Sequence, residues 1–250
     1  HKKWSQIRTN MFVDFSTIPN KAPDYDLRDL LEAGMHFGHS KSKWHPKMKE
    51  YIYMEKDGVH IFDLAKTAEQ LKLAYNFIFD LASKGKKVIF VGTKRQARDI
   101  IRKTAKEAEV LYIAQRWMGG MLTNWDQINK SVKRMNEIEK GLGTGRFDGY
   151  TKFERLQLEK EQGRLERFFE GVKGLTGKPD CLVVIDPRKE KLVVAEANKM
   201  GVPVVALIDS NTNPDTISLP IPANDDAVSS IELVLGELTK AYAEGKKSTK

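Results

Sequence analysis

Three short, unbroken apolar runs constrain this chain more than any other feature: Val88-Ile89-Phe90-Val91, Leu182-Val183-Val184-Ile185 and Val204-Val205-Ala206-Leu207-Ile208. A strand with one wet face alternates apolar and polar residues, whereas a continuous run of four or five suits a strand covered on both faces of a parallel sheet. Each run leads into a polar turn and a helical pattern, from Thr93, from Pro187 and, after a longer loop, from Asn224. This rhythm predicts an α/β fold built on a doubly wound parallel sheet. The 250 residues are enough to cover such a sheet on both sides.

The rest of the chain divides around that core. Residues 1–23 form an N-terminal extension that lacks the apolar stretch of a secretory signal; an arm that orders on a partner and the remnant of an organellar leader are both open readings. Asp26 to Gly34 reads as a short capped helix, residues 51–62 as a hairpin turning at Asp57-Gly58, and Asp63 to Lys84 as a helix closed by Gly85. Ile128, Val132, Met135, Ile138 and Leu142 make one helical stripe, and Leu158, Leu165, Phe169 and Val172 a second. With glycines between Gly141 and Gly149, these stripes predict an antiparallel helical hairpin over residues 126–172, projecting from an α/β domain of residues 24–125 and 173–245. A basic tail, 246–250, follows. Gly163, inside the second helix, should cost about 1 kcal/mol relative to Ala.

Charge is distributed unevenly. Lys84 to Arg116 carries 10 Lys/Arg and 3 Asp/Glu, a balance of +7, and Pro179 to Gly245 carries 5 and 11, a balance of −6. A polyanion would therefore meet one side of the molecule. No window holds 18 uninterrupted apolar residues, so a helical membrane span is excluded, and the single cysteine, Cys181, excludes a disulfide framework within the chain.

Nucleotide chemistry finds little support. The turn after the first run, Gly92-Thr93-Lys94-Arg95-Gln96-Ala97, lacks the glycine spacing of a dinucleotide fingerprint, and no phosphate-loop motif occurs. Asp186 and Asp209 each follow a strand, where an Asp caps the next amides or binds a metal or partner. His36 and His39, at i and i+3, have no further ligand evident in sequence, so no metal site is assigned. Ser40, Ser210 and Cys181 stand in no nucleophile context.

Basic residues carry the stronger signal. Arg95, Arg98, Arg102 and Lys106 fall on one face of the helix after the first run, opposite Ala97, Ile100, Ile101 and Ala105, and suit a row of phosphates. Lys41, Lys43, Lys47 and Lys49 interleave with Trp44 and His45, a pattern for stacking on bases or for a surface loop with Trp44 packed inward. In Arg116-Trp117-Met118-Gly119-Gly120-Met121-Leu122-Thr123-Asn124-Trp125 the tryptophans pack the root of the hairpin and leave Arg116 free.

Several segments, taken in order, are similar to one family. Leu31 to His39, Phe90 to Lys94, Arg116 to Trp125, Pro179 to Asp186, Ala197 to Pro203 and Ile221 to Ala227 resemble the bacterial-type ribosomal protein S-two family, collinearly from about Leu27 to Gly245. The resemblance implies a flavodoxin-like domain with an inserted coiled-coil hairpin and a structural, non-catalytic role without a cofactor or small-molecule substrate. It implies small-subunit rRNA and neighbouring ribosomal proteins, S-one among them, as partners, on ribosomes of the cytoplasm or an organelle. Carried onto this chain, Lys41, Lys43, Trp44, Lys47, Lys49, Lys94, Arg95, Arg98, Arg102, Arg116, Lys130, Lys133 and Arg134 become RNA-contact candidates, and Asp186 and Asp209 protein-contact candidates. The rival readings are a nucleotide- or metal-dependent enzyme using those two aspartates, and a protein-interaction scaffold with the hairpin as docking arm.

Overall fold

A computed structural model describes residues 17–248. The apolar runs are strands β4 (Val88–Val91), β6 (Cys181–Ile185) and β7 (Val204–Ile208), joined at the edges by β5 (Leu111–Ile113) and β8 (Leu219–Pro222). All pairs are parallel, in the order β5-β4-β6-β7-β8. In chain order this is 2-1-3-4-5, the flavodoxin-like arrangement, which has its switch point between β4 and β6.

Successive strand residues enter opposite cores, as the strand period of two requires. Val88, Phe90, Val183, Ile185, Val205 and Leu207 pack with α2 (Leu64–Ser83), α3 (Arg95–Glu107) and α7 (Val228–Ser248) through Leu71, Ile78, Ile101 and Leu235. Ile89, Val91, Leu182, Val184, Val204 and Ala206 pack with α4 (Trp125–Gly143), α5 (Lys152–Phe169) and α6 (Lys191–Met200) through Val132, Met135, Phe169, Val193 and Ala197. The sheet is thus dry on both faces.

The helix expected from Asp63 to Lys84 is present as α2, capped by the Asp63 side chain on the Ala65 amide. The expected hairpin is β2 (Ile52–Lys56) with β3 (Val59–Phe62), and a strand that the sequence did not announce, β1 (Phe37–Ser40), pairs with β3 to make a small antiparallel sheet. The short first helix is α1 (Leu27–Glu32), capped by Asp26.

The inserted segment differs from a freely projecting arm. Val132 and Met135 of α4 are buried in the same core as Ile89 and Leu182, so α4 is itself a covering helix of the sheet. α5 lies further out: Phe169 is buried, while Leu158 and Leu165 are half-buried. At the N-terminal side, the extension lies outside the described residues up to residue 16. Beyond it, the backbone amides of Lys21 and Ala22 both donate to Asn76 Oδ1 at 2.7 Å, which pins this stretch to α2. Residues 246–248 form the last turn of α7, where Lys246 pairs with Glu109 at 2.6 Å.

Candidate nucleic-acid interface

The basic row on α3 forms because Ala97, Ile101 and Ala105 are fully buried against the sheet, turning the long cations outward. Arg95 is exposed and makes no ion pair among the described residues. Arg98 donates to Gln115 Oε1 at 3.4 Å, and Arg102 lies 3.7 Å from Asp99. Lys106 is bonded to Glu170 at 2.8 Å, so the positive field fades along the helix from Arg95 toward its far end. Arg116, just before the buried Trp117, is exposed, as are Lys130 and Lys133; Arg134 is held by Glu161 through bonds of 3.0 and 2.9 Å.

The loop of residues 41–49 is ordered by two short 3-10 turns and anchored by the His45 amide on the Ser210 carbonyl at 2.7 Å. Trp44 is half-buried, with its ring 4.9 Å from that of His60. Lys41 pairs with Glu55 at 2.8 Å and Lys47 with Asp215, whereas Lys43 and Lys49 are exposed and form no ion pair among the described residues.

Lys94 stands apart from these exposed cations. It caps α3 at the carboxyl edge with only 9% of its surface exposed, and its ammonium lies 2.6 Å from Asp225, 2.6 Å from Asp226 and 3.2 Å from Asp186. Burial works against its charge, but Asp225, Asp226 and Asp186 outweigh that and hold its pKa above the usual lysine value. An ammonium enclosed by three carboxylates has nothing left for a phosphate. Asp209 also changes role: 1% exposed, it accepts from the His39 amide at 3.0 Å and pairs with His39 Nδ1 at 2.9 Å, fastening β1 to β7 rather than offering a surface to a protein. Asp186 keeps partial exposure and accepts from the Lys189 amide at 3.1 Å, a turn cap before α6.

These contacts fill the switch-point crevice where a doubly wound sheet would seat a nucleotide. Acidic residues line it around the single ammonium of Lys94, a setting that disfavours a phosphate. Asp225 is pushed up to about 7, first by burial and then by Asp186 and Asp209, against the pull of Lys94. The fold also brings Asp209 and Asp226 to His39, so that donor atoms of the three lie within 4.8 Å of one another. A nitrogen and two carboxylates suit a divalent cation, a grouping hidden in sequence by the 170 residues separating His39 from Asp209.

Another buried carboxylate carries no signal in the sequence. Glu196 of α6, 6% exposed, accepts from the Gly120, Leu122 and Thr123 amides at 2.8, 3.0 and 3.3 Å, and from Trp117 Nε1 at 3.3 Å. One side chain thereby fixes the loop that carries Arg116 into α4. Glu190 similarly accepts from the Thr93 amide at 2.9 Å, at the entry to the basic helix.

Fold and site together define a class: a doubly wound α/β protein with a basic flank beside an internally paired acidic edge. The ribosomal protein S2 family profile matches residues 30–245. The chain is 48% identical over 219 residues to the small ribosomal subunit protein uS2 of Koribacter versatilis (strain Ellin345), covering 88% of this chain and 73% of that protein. It is 45% identical over 223 residues to the small ribosomal subunit protein uS2 of Rhizobium etli (strain CIAT 652), covering 89% and 87%. The chain belongs to the ribosomal protein S2 family, a structural and non-enzymatic one.

Proposed function

We propose that this chain is a structural constituent of the small ribosomal subunit and docks on folded rRNA through one basic surface. The carrying observation is the segregation of charge: Lys43, Lys49, Arg95 and Arg116 are exposed without ion pairs among the described residues, while Asp209, Asp225 and Asp226 at the carboxyl edge are engaged by His39 and Lys94. Charge supplies affinity, and the shape of the α/β body supplies register on an A-form surface. Arg98, Arg102, Lys130, Lys133 and Arg134 extend the same contact, and Lys41 and Lys47 join it by exchanging a carboxylate for a phosphate. Trp44 borders it, its ring backed by His60.

Neighbouring ribosomal proteins complete the environment. Asp186 is retained as a protein contact; exposed Phe37, Tyr53 and Met54 on the small sheet supply apolar surface that a protein neighbour would cover. The resemblance to the bacterial type names S-one as such a neighbour, on ribosomes of the cytoplasm or an organelle. Ultraviolet crosslinking of native small subunits, read by mass spectrometry, tests the orientation. Nucleotides are expected on peptides holding residues 41–49, 95–102 and 116; crosslinks confined to α6 and α7 would overturn it.

A further inference from the structure

The cationic row of α3 ends against a fixed carboxylate. Lys106 is the last member of that row, and its ammonium donates to Glu170 Oε1 at 2.8 Å. The other oxygen, Glu170 Oε2, accepts from the Tyr112 hydroxyl at 3.1 Å. Tyr112 is buried in β5, so this second bond ties the carboxylate to the edge of the sheet.

The backbone that carries Glu170 has no room to retreat. Glu170 opens a single 3-10 turn, Glu170–Val172, between the buried side chains of Phe169 and Val172. Gly171 passes so close to β5 that a Cβ there would meet the Tyr112 carbonyl oxygen at 2.1 Å. Lys106, aided by Tyr112 and Arg102 and opposed by burial, holds the Glu170 carboxyl below its usual value. The pair nevertheless lies in the open, with 52% of the Lys106 side chain and 43% of the Glu170 side chain exposed. An exposed ion pair adds little to stability, so packing of Phe169 and Val172 is what holds this turn in place. A carboxylate that can swing aside yields its cation to a phosphate. Glu170 stays where it is, and a phosphate reaching Lys106 would have to share one ammonium with a second anion, against like-charge repulsion. Recognition is a difference of affinities, and a fixed like charge is one way to build that difference.

We propose that Glu170 is a specificity-determining residue for rRNA docking: its anchored carboxylate withholds Lys106 from the RNA and closes the basic row of α3 after Arg102. The RNA backbone thereby follows the helix from Arg95 to Arg102 and is turned away at Lys106, which fixes its register along α3. This inference rests on the ribosomal function proposed above and adds to it the residue that limits the contact.

The test uses the full chain rebinding to small subunits stripped of it, measured by sedimentation across a salt series. Glu170→Gln keeps the shape and an acceptor for Tyr112 but removes the charge. It should steepen the log–log salt slope by about 0.7–0.9, one more phosphate contact, and tighten rebinding about fivefold at moderate salt. Glu170→Asp, which keeps the charge, should keep the wild-type slope. In the double variant Glu170→Gln/Lys106→Gln the gain should vanish, because Lys106 is the cation set free. Thermal melts check that each variant is folded. If the wild type rebinds and Glu170→Gln leaves the slope unchanged or lower, the inference is overturned while the ribosomal reading stands. A gain that survives the loss of Lys106 also overturns it, since the charge then acts at long range. Lys106→Gln alone gives an independent reading should Glu170→Gln fail to fold: an unchanged slope supports the inference, and a slope shallower by about 0.7–0.9 shows that Lys106 already meets a phosphate and overturns it. Failure of the wild type to rebind removes the ribosomal reading and this inference with it.

Discussion

The indole Nε1–H of Trp117 and the carboxylate of Glu196 meet at 3.3 Å, although 79 residues separate them. Around that bond the same carboxylate collects the amides of Gly120, Leu122 and Thr123, so one buried charge organises the passage from β5 into α4. Burial raises the Glu196 pKa, and these donors more than reverse it, holding it below the usual value. Because the folded pKa is depressed, the stabilisation is complete above the unfolded value of about 4.3 and is lost as pH falls through the folded one. Glu196→Ala should cost about 2–4 kcal/mol at pH 7, and Glu196→Gln less. Tryptophan fluorescence in urea at pH 7 and at pH 3.5 checks this: the gap between wild type and Glu196→Gln should shrink in acid.

Lys94 gives a second prediction. Removing the ammonium leaves the buried Asp225 without its cation, beside the largely buried Asp186, so Lys94→Met should destabilise by about 3–5 kcal/mol. Adding Asp225→Asn should restore part of the loss, because the two residues touch at 2.6 Å and their effects do not add. Equilibrium unfolding of the two single variants and the double variant measures the coupling.

Two glycines predict opposite outcomes near the hairpin. A Cβ on Gly171 would sit 2.1 Å from the Tyr112 carbonyl oxygen, a backbone atom with no freedom to retreat, whereas a Cβ on Gly163 meets nothing within 4 Å. Gly171→Ala should lower stability by about 1–3 kcal/mol through overpacking, and Gly163→Ala should raise it by about 1 kcal/mol through helix propensity. Thermal melts of both variants decide the signs.

What the sequence revealed followed from local pattern. The continuous runs of β4, β6 and β7 announced a parallel sheet because burial on both faces removes polar residues from a strand. The edge strands were hidden: β5 is only Leu111-Tyr112-Ile113, and β8 is Leu219-Pro220-Ile221-Pro222, whose prolines argue against a strand except at an edge. Arg95 and Arg98 were visible as a surface row because their helix alternates them with Ala97 and Ile101. Lys94, one residue earlier, reads in sequence as part of the same row, because its acidic partners lie 92, 131 and 132 positions away and no local pattern encodes them. Glu196 was missed for the same reason: a lone acid on a helix shows its purpose only when the loop that it binds has folded over it.

The basic surface predicts a measurable salt dependence. Each cation that neutralises an rRNA phosphate adds about 0.7–0.9 to the slope of log affinity against log salt. The combined variant Lys43→Gln/Lys49→Gln/Arg95→Gln/Arg116→Gln should therefore lose about 3 from that slope. Its melting temperature should stay near that of the wild type, since these four residues make no ion pairs among the described residues.

The most direct measurement is sedimentation of the tagged full chain through a sucrose gradient from native lysate, at moderate and then high salt. The account predicts stoichiometric co-migration with small ribosomal subunits that weakens as salt rises. A protein that stays at the top of the gradient at every salt concentration would contradict it.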